Sequence, residues 1–468
     1  MNRIVITGIG VVSPIGVGRE AFWAGATAGQ SGLGPITLFD ASTFPVRIGG
    51  EVKGFDEAAV AASFPEVAAT RDRKVLFALA AAEEAIADAR LSSGHLQHAL
   101  LCVGVGLETI CLEDLTPFAG APDLDRAMAG RLVLRQASFD GLGATTMLRT
   151  VPGLSSSAEN TVAQANRGTR QSKIDGALVV KAGGHWLQTP LDATAKILGD
   201  RYGLLAGRYT NCSACAAGTQ VVGEAWQMLR RGQAAVALAG AADSMLNPLG
   251  LGGFSLLRVL STENDCPRQA CRPFDATREG TVLGEGAAML VLEVLEHARA
   301  RGASIYAEVV GYGSSLDAFA VSDPDPAGRG AVDSMRRAIR SAGLGSADID
   351  CVSAHGTGTP KNDTVETAAI KEVLGRRARE IPVHSVKSMT GHMIAASGAV
   401  EAAAAALTLS RRRVPPTINL RTPDPQCDLD YVPHAARSFR GETVLSNSFG
   451  FGGQNATIIL RKLPNGTD

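Results

Sequence analysis

Short β-type runs at residues 4–6, 235–239, 288–292, 307–310, 351–353 and 457–460 alternate along this chain with alanine-rich helical stretches at 76–89, 331–342 and 400–409. Strands that alternate with helices form sheets whose faces are covered by those helices, so the chain is constrained to an α/β sandwich. The pattern is echoed. Ile4-Val5-Ile6-Thr7-Gly8 opens the chain, and Ala307-Glu308-Val309-Val310-Gly311 opens a second unit after a helical stretch at 296–301. A chain of 468 residues exceeds the usual size of one hydrophobic core, so two similar-sized units sharing an interface are expected.

Charge and cysteine usage narrow the function. A formal net charge of −1 argues against a nucleic-acid surface, which needs a marked excess of Lys and Arg. The eight cysteines form no even ladder of short spacings. Cys212 and Cys215 have CxxC spacing and Cys266 with Cys271 makes a looser pair, but no second CxxC or His pair accompanies them, so no metal site is expected. The chain enters a strand pattern at Arg3 without a basic-then-apolar leader, and its apolar runs are too short to span a bilayer. A soluble, cytoplasmic protein is expected.

The chemistry concentrates in three segments. In residues 211–218, Asn-Cys-Ser-Ala-Cys-Ala-Ala-Gly, Cys215 falls at or next to the start of a helix marked by Gly218, Val221, Val222, Ala225 and Leu229. Unpaired N–H groups and the positive end of a helix dipole favour thiolate over thiol there, and the same N–H groups can hold an oxyanion. Taken alone, the segment fits a buried small residue equally well. Residues 353–360, Ser-Ala-His-Gly-Thr-Gly-Thr-Pro, place His355 on a glycine-rich turn after a strand, where side chains project into sites. In residues 386–392, Val-Lys-Ser-Met-Thr-Gly-His, Lys387 and His392 stand five apart before a helix of small residues. A single histidine is more often structural; two beside a candidate thiol nucleophile point to catalysis.

With these segments the chain resembles the β-ketoacyl-acyl carrier protein synthases, especially the elongating synthase II type and its polyketide ketosynthase relatives. The opening strand at 3–10, Pro273-Phe274-Asp275 with Gly284-Glu285-Gly286, and the glycine-rich segment 446–453 carry the resemblance further. It implies a thiolase-like fold, two duplicated halves in a layered α-β-α-β-α sandwich, divided here as 1–301 and 302–468. It implies that Cys215 takes an acyl chain from a carrier's phosphopantetheine thioester. The backbone N–H groups of Cys215 and Phe451 would form one oxyanion hole. His355 and His392 would hold the malonyl thioester carbonyl as carbon dioxide leaves. The resulting carbanion then attacks the acyl-cysteine.

Lys387, paired with Glu285, would set the electrostatics around His355; a purely structural role for Lys387 fits equally well. Phe449 and Phe451 would form a gate hinged on the neighbouring glycines. An acidic acyl carrier protein would dock on Arg71, Arg73, Lys74 and Arg258, with Arg230 and Arg231 as further candidates, although a solvated helix face explains any one of them. No metal or redox cofactor is implied, and the family implies a homodimer; a heterodimer is the variant.

One stretch departs from the resemblance. Between Gly106 and Cys215 the chain is longer than the family pattern by about fifty residues, more than a structureless loop normally spans, and residues of about 116–184 carry the excess. Gly106-Leu107-Glu108 also stands where further glycine is usual. Four rivals are weighed. A thiolase would use a second C-terminal cysteine, and an initiating synthase would pair its cysteine with His and Asn. A non-condensing acyltransferase, or the partner subunit of a ketosynthase heterodimer, is the alternative function. The insertion is expected to cap the entrance or meet a partner. Deleting residues 118–182 should then alter carrier selectivity or folding; both unchanged in a carrier-binding and unfolding assay would count against it.

Overall fold

The computed structural model describes residues 1–64, 67, 72–106 and 190–464, together with the backbone of four short strands between 172 and 186. One compact unit comprises Met1–Val67, Asp72–Leu107 and Pro190–Asp468. Its frame is a mixed sheet built from β1 (Ile4–Ser13), β2 (Leu100–Val105), β3 (Gly207–Asn211), β4 (Val236–Ser244), β5 (Glu285–Val294), β6 (Ala307–Leu316), β7 (Cys351–Ser353), β8 (Val383–His384), β9 (Thr443–Gly450) and β10 (Gln454–Arg461). The spatial order is β3-β2-β4-β5-β1-β6-β10-β9-β7-β8.

That order contains the same arrangement twice. The first five strands lie in the order 3-2-4-5-1, and the second five, counted from the opposite edge, do the same. Directions repeat as well: β3 with β2 and β2 with β4 are parallel, β4 with β5 and β5 with β1 antiparallel. In the second set β8 with β7 and β7 with β9 are parallel, β9 with β10 and β10 with β6 antiparallel. The sets join where Ile4, Val5 and Ile6 pair antiparallel with Val309, Glu308 and Ala307. The similarity between residues 4–8 and 307–311 is therefore structural, since both segments lead their set at the seam.

Helices cover these sheets in layers. The main ones are α1 (Arg73–Ala89), α2 (Ala217–Arg230), α3 (Pro248–Leu256), α4 (Arg329–Ala342), α5 (Pro360–Leu374) and α6 (Ala395–Arg411). Helix α1 packs on β1, β5 and β4; α4 packs on β6 and β10 and against α5. Between the sheet halves α2 and α6 pack on each other and on strands of both. The result is the α-β-α-β-α succession of a thiolase-like fold.

Strands covered on both faces read as unbroken apolar runs, which is why every residue of β1 is buried. The middle layer explains the alanines: each residue from Ala395 to Leu409 is buried, so α6 has no solvent face to mark with charge.

The middle helices touch at their first turns, and there glycine is required by distance. A Cβ on Gly398 would lie 2.4 Å from Thr219 Oγ1 and 2.6 Å from Thr219 N; one on Gly218 would lie 2.6 Å from Ala395 O and Ala399 N. This contact sets the start of α2 beside the start of α6.

A second compact unit comprises Ala68–Arg71 and Glu108–Thr189. Its described backbone shows two hairpins, Ser172–Ile174 with Ala177–Val179 and Lys181–Ala182 with His185–Trp186. Otherwise the insertion at about 116–184, Arg71, Leu107 and Glu108 lie outside the described residues. Among the described residues no helix is long and apolar enough to cross a membrane.

Replacing Gly398 by Ala forces a methyl group against the backbone of Thr219. The expected cost is about 1–3 kcal/mol, read as a lower urea midpoint with an unchanged m-value. An unchanged midpoint would contradict the close crossing of α2 and α6.

Candidate active site

The crossing of the middle helices places Cys215 near His392. Cys215 lies in a single 3-10 turn, Ala214–Ala216, immediately before α2. The turn is tight enough that Ala214 takes a positive φ of 50°. The end of β9 lies against it: a Cβ on Gly450 would be 3.1 Å from Cys215 N and 3.2 Å from Ala216 N. The next residue, Phe451, directs its backbone N–H at Cys215 Sγ, and the N–H of Cys215 itself converges there.

His355 follows β7 on the turn expected from sequence. Its N–H and that of Gly356 donate to the two oxygens of Glu366 on α5, each at 2.8 Å. Asp363, also on α5, accepts from Phe274 N at 2.8 Å and Thr357 N at 3.1 Å. Phe274, from the Pro-Phe-Asp segment, stacks on Tyr431 with ring centroids 3.8 Å apart. His392 stands three residues before the first residue of α6 and is tied to the first half of the chain, its N–H donating to Val282 O at 2.7 Å.

The rings of His355 and His392 stand 5.3 Å apart and nearly perpendicular, at 84°. Their hydrogen bonds assign the tautomers. His392 Nδ1 accepts from Ile394 N–H at 3.2 Å and has Ser397 Oγ at 3.0 Å. His355 Nδ1 has Lys387 Nζ at 3.3 Å. With Nδ1 accepting in both rings, each neutral imidazole carries its proton on Nε2, a donor for whatever enters the cavity. Burial, reinforced by the charge of Lys387, holds both histidines well below the usual imidazole range.

Lys387 is fully buried. Its ammonium donates to His355 O at 2.7 Å and pairs with Glu401. The expected partner, Glu285, lies elsewhere. It accepts from Arg73 (Nη2 to Oε1, 2.6 Å), Ser244 Oγ (2.8 Å) and Val52 N (3.0 Å). The Lys387–Glu285 pairing is thus corrected to Lys387–Glu401. Sequence reading passed over Glu401, although a lone carboxylate inside an alanine run signals a buried cation.

The thiol also differs from expectation. Burial pushes Cys215 up to about 11, against the opposing effects of the Phe451 N–H, the Lys387 charge and its own N–H. Nearby N–H groups do lower its pKa, but desolvation of an almost fully buried thiol outweighs them, so the resting group is SH rather than thiolate.

Cys215, His355 and His392 line one cavity of about 370 Å³, with Phe254, Phe449 and Phe451. Phe449 lies 5.8 Å from the His355 ring and Phe451 6.0 Å from Phe254. Beyond Phe451 both Gly452 and Gly453 have φ of 75°, the freedom a hinge needs. Of the basic candidates, Arg258 is exposed and lines the cavity. Arg73 is held by Glu285 and Glu57, and Lys74 is 1 % exposed beside Asp72 at 2.8 Å, so neither offers a docking surface. Arg230 lies over the Trp226 ring at 4.5 Å. Among the described residues no cluster of three or more His, Cys, Asp or Glu side chains could hold a metal ion.

Sequence models of known families match nearly the whole chain. Those described as Beta-ketoacyl synthase, N-terminal domain, and Beta-ketoacyl synthase, C-terminal domain, match residues 1–180 with 163–298, and residues 306–421. The chain is 37% identical to 3-oxoacyl-[acyl-carrier-protein] synthase 2 of Coxiella burnetii, over 99% of each chain. It is 38% identical to the granaticin polyketide putative beta-ketoacyl synthase 1 of Streptomyces violaceoruber, over 98% of each. Among solved structures, a type II polyketide ketosynthase bound to its acyl-carrier protein and the hexaketide superposes with TM-score 0.76 at 30% identity, covering 99% of this chain and 100% of that one.

A thiol at about 11 predicts that alkylation of Cys215 by iodoacetamide climbs about tenfold per pH unit from pH 7 to 10. Lys387→Met removes a charge that lowers this pKa, so alkylation at fixed pH should slow. A rate already level at pH 7 in the parent would contradict the neutral thiol.

Proposed function

The chain belongs to the β-ketoacyl synthase family, a condensing acyltransferase of fatty-acid or polyketide chain elongation, and we propose that Cys215, His355 and His392 carry that chemistry here. The observation that carries the reading is two neutral imidazoles, fixed as Nε2–H donors, lining one cavity with a buried thiol.

In the first half-reaction the Cys215 sulfur attacks the acyl thioester carbonyl. The oxyanion is received by the N–H groups of Cys215 and Phe451, which already converge on this point. The carrier thiolate departs and takes up the proton that Cys215 gives up, so no external base is consumed. In the second, malonyl thioester enters and its carbonyl oxygen lies between His355 and His392. As the C–C bond to the carboxylate breaks, its electron pair moves into an enolate that the two N–H donors stabilise. The enolate carbon attacks the acyl-cysteine, forming the new C–C bond. Cys215 leaves as thiolate and takes one proton from water, the one proton that condensation consumes. Neutral histidines suit this step, because two imidazoliums beside Lys387 would be strongly disfavoured in a buried site. Release of carbon dioxide drives the reaction, so no cofactor is assigned; phosphopantetheine arrives on the carrier.

Further parts of the reading rest on the fold. The relative bound to an acyl-carrier protein supports a carrier as partner here, with Arg258 at the cavity as its basic contact. Residues 1–301 and 302–468 are taken as the two ketosynthase halves, supported by the repeated strand order. A homodimer is supported by β3, an edge strand whose central residues Arg208, Tyr209 and Thr210 are exposed. Cys102, Cys215, Cys266, Cys271, Cys351 and Cys427 are unpaired thiols among the described residues, which favours a reducing cytosol.

Incubation with acyl-carrier and malonyl-carrier, followed by mass spectrometry, tests the function. The expected products are acyl-Cys215, carbon dioxide and a carrier-bound β-ketoacyl chain. Cys215→Ala should abolish the product, and His355→Ala or His392→Ala should lower carbon dioxide release by on the order of a hundredfold or more. Acyl transfer without carbon dioxide would favour the non-condensing acyltransferase.

A further inference from the structure

We propose that Asp243, which lies in the first sheet half and outside the cavity, is a positioning residue that fixes the orientation of His392. This rests on the reading that His392 acts as an N–H donor during decarboxylation. Asp243 stands near the end of β4 and is 1 % exposed. Its Oδ2 accepts the N–H of Ala395, the first residue of α6, at 3.0 Å. The residue before, Ile394, has φ 43° and ψ −112°. A β-branched side chain at positive φ is strained and persists only where its surroundings hold it. That strained peptide is what aims the Ile394 N–H at His392 Nδ1 and so keeps the ring proton on Nε2. Asp243 anchors the far side of it.

Two further observations show that the site is built around this carboxylate. Gly106, at the end of β2, leaves room for it: a Cβ there would lie 2.1 Å from Asp243 Oδ2. Its other oxygen, Oδ1, is buried without a side-chain hydrogen-bond partner among the described residues. An amide oxygen could accept the Ala395 N–H without burying a carboxylate, so that bond alone gives no reason for the acid. A charge does have a use at this spot. Burial pushes Asp243 up to about 7, against the opposing effects of the Lys74 charge and the Ala395 N–H; in its ionised form the carboxylate strengthens the bond to an N–H at the positive end of α6. The same carboxylate works against ionisation of Cys215. Asp243 therefore acts oppositely on the two half-reactions, steadying His392 for decarboxylation while opposing thiolate formation.

The test compares Asp243→Ala and Asp243→Asn with the parent and with His392→Ala. Malonyl-carrier decarboxylation and acylation of Cys215 are measured separately. Asp243→Ala should lower decarboxylation by on the order of tenfold to a hundredfold, as a displaced catalytic group does, with alkylation of Cys215 as fast or faster. Asp243→Asn keeps an acceptor and should restore decarboxylation to within about threefold of the parent, the alkylation gain persisting. If Asp243→Ala does not fold, Asp243→Ser, too short to reach Ala395, takes its place. Unchanged decarboxylation in the folded alanine or serine variant, or parallel losses of acylation and decarboxylation in any variant, would overturn the positioning role. If His392→Ala itself leaves decarboxylation intact, the reading of the active site fails instead, whatever the Asp243 variants do.

Discussion

A single buried cation organises this site. Lys387 has no access to solvent, and an ammonium in that position is tolerable only with close partners. It has three: the carbonyl of His355, the Nδ1 of His355 and the carboxylate of Glu401. The first two set the height and tautomer of the His355 ring. The charge disfavours protonation of His355 and His392 together, and it favours ionisation of Cys215. One side chain thereby biases all three groups in the direction the proposed mechanism requires. Glu401 sits on α6, so the cation is bolted to the helix that begins just after His392.

The fold supplies the rest by bringing helix starts together. Repeated sheet halves meet at a short antiparallel seam and leave a thin middle layer for α2 and α6. Gly218 and Gly398 let those helices touch at their first turns, and Cys215 and His392 precede those turns. β9 then returns along the second half and places Gly450 against the cysteine turn, so that the Phe451 N–H reaches the sulfur. The N–H groups and imidazoles that the proposed mechanism uses are in place before substrate binds, which is where preorganised catalysis gains its advantage.

Much of this was legible in the residues. The alternation of β-type and alanine-rich segments gave the α/β class, and the echo between residues 4–8 and 307–311 marked the two strands that pair at the seam. Cys215, His355, His392 and Lys387 were visible because each sits in a glycine-bracketed or strand-terminal segment. The strands β2, β3, β8 and β9 are not among the β-type runs of the sequence; β8 is two residues long and β3 is polar, so neither gives a periodic signal, and most of β9 lies in the glycine-rich segment 446–453 that reads as a loop. Glu285 is named as the partner of Lys387 by resemblance alone, and only the packing of α6 brings Glu401 to it. Likewise Arg73 and Lys74 read as surface charges until the contacts of α1 show Glu285 and Asp72 beside them. Exposure of a basic residue is a tertiary property, and charge patterning alone does not reveal it. The thiol was misjudged for a related reason: proximity to a helix start is visible in sequence, whereas the desolvation that outweighs it is not.

The protonation of the two imidazoles is the most direct test of this account. Nitrogen-15 NMR of His355 and His392 in the free enzyme, followed from pH 5 to 9, should show neutral rings throughout, with the proton on Nε2 and Nδ1 bare. An imidazolium on either ring near pH 7, or a proton found on Nδ1, would contradict the arrangement that Lys387, Ile394 and the buried cavity impose.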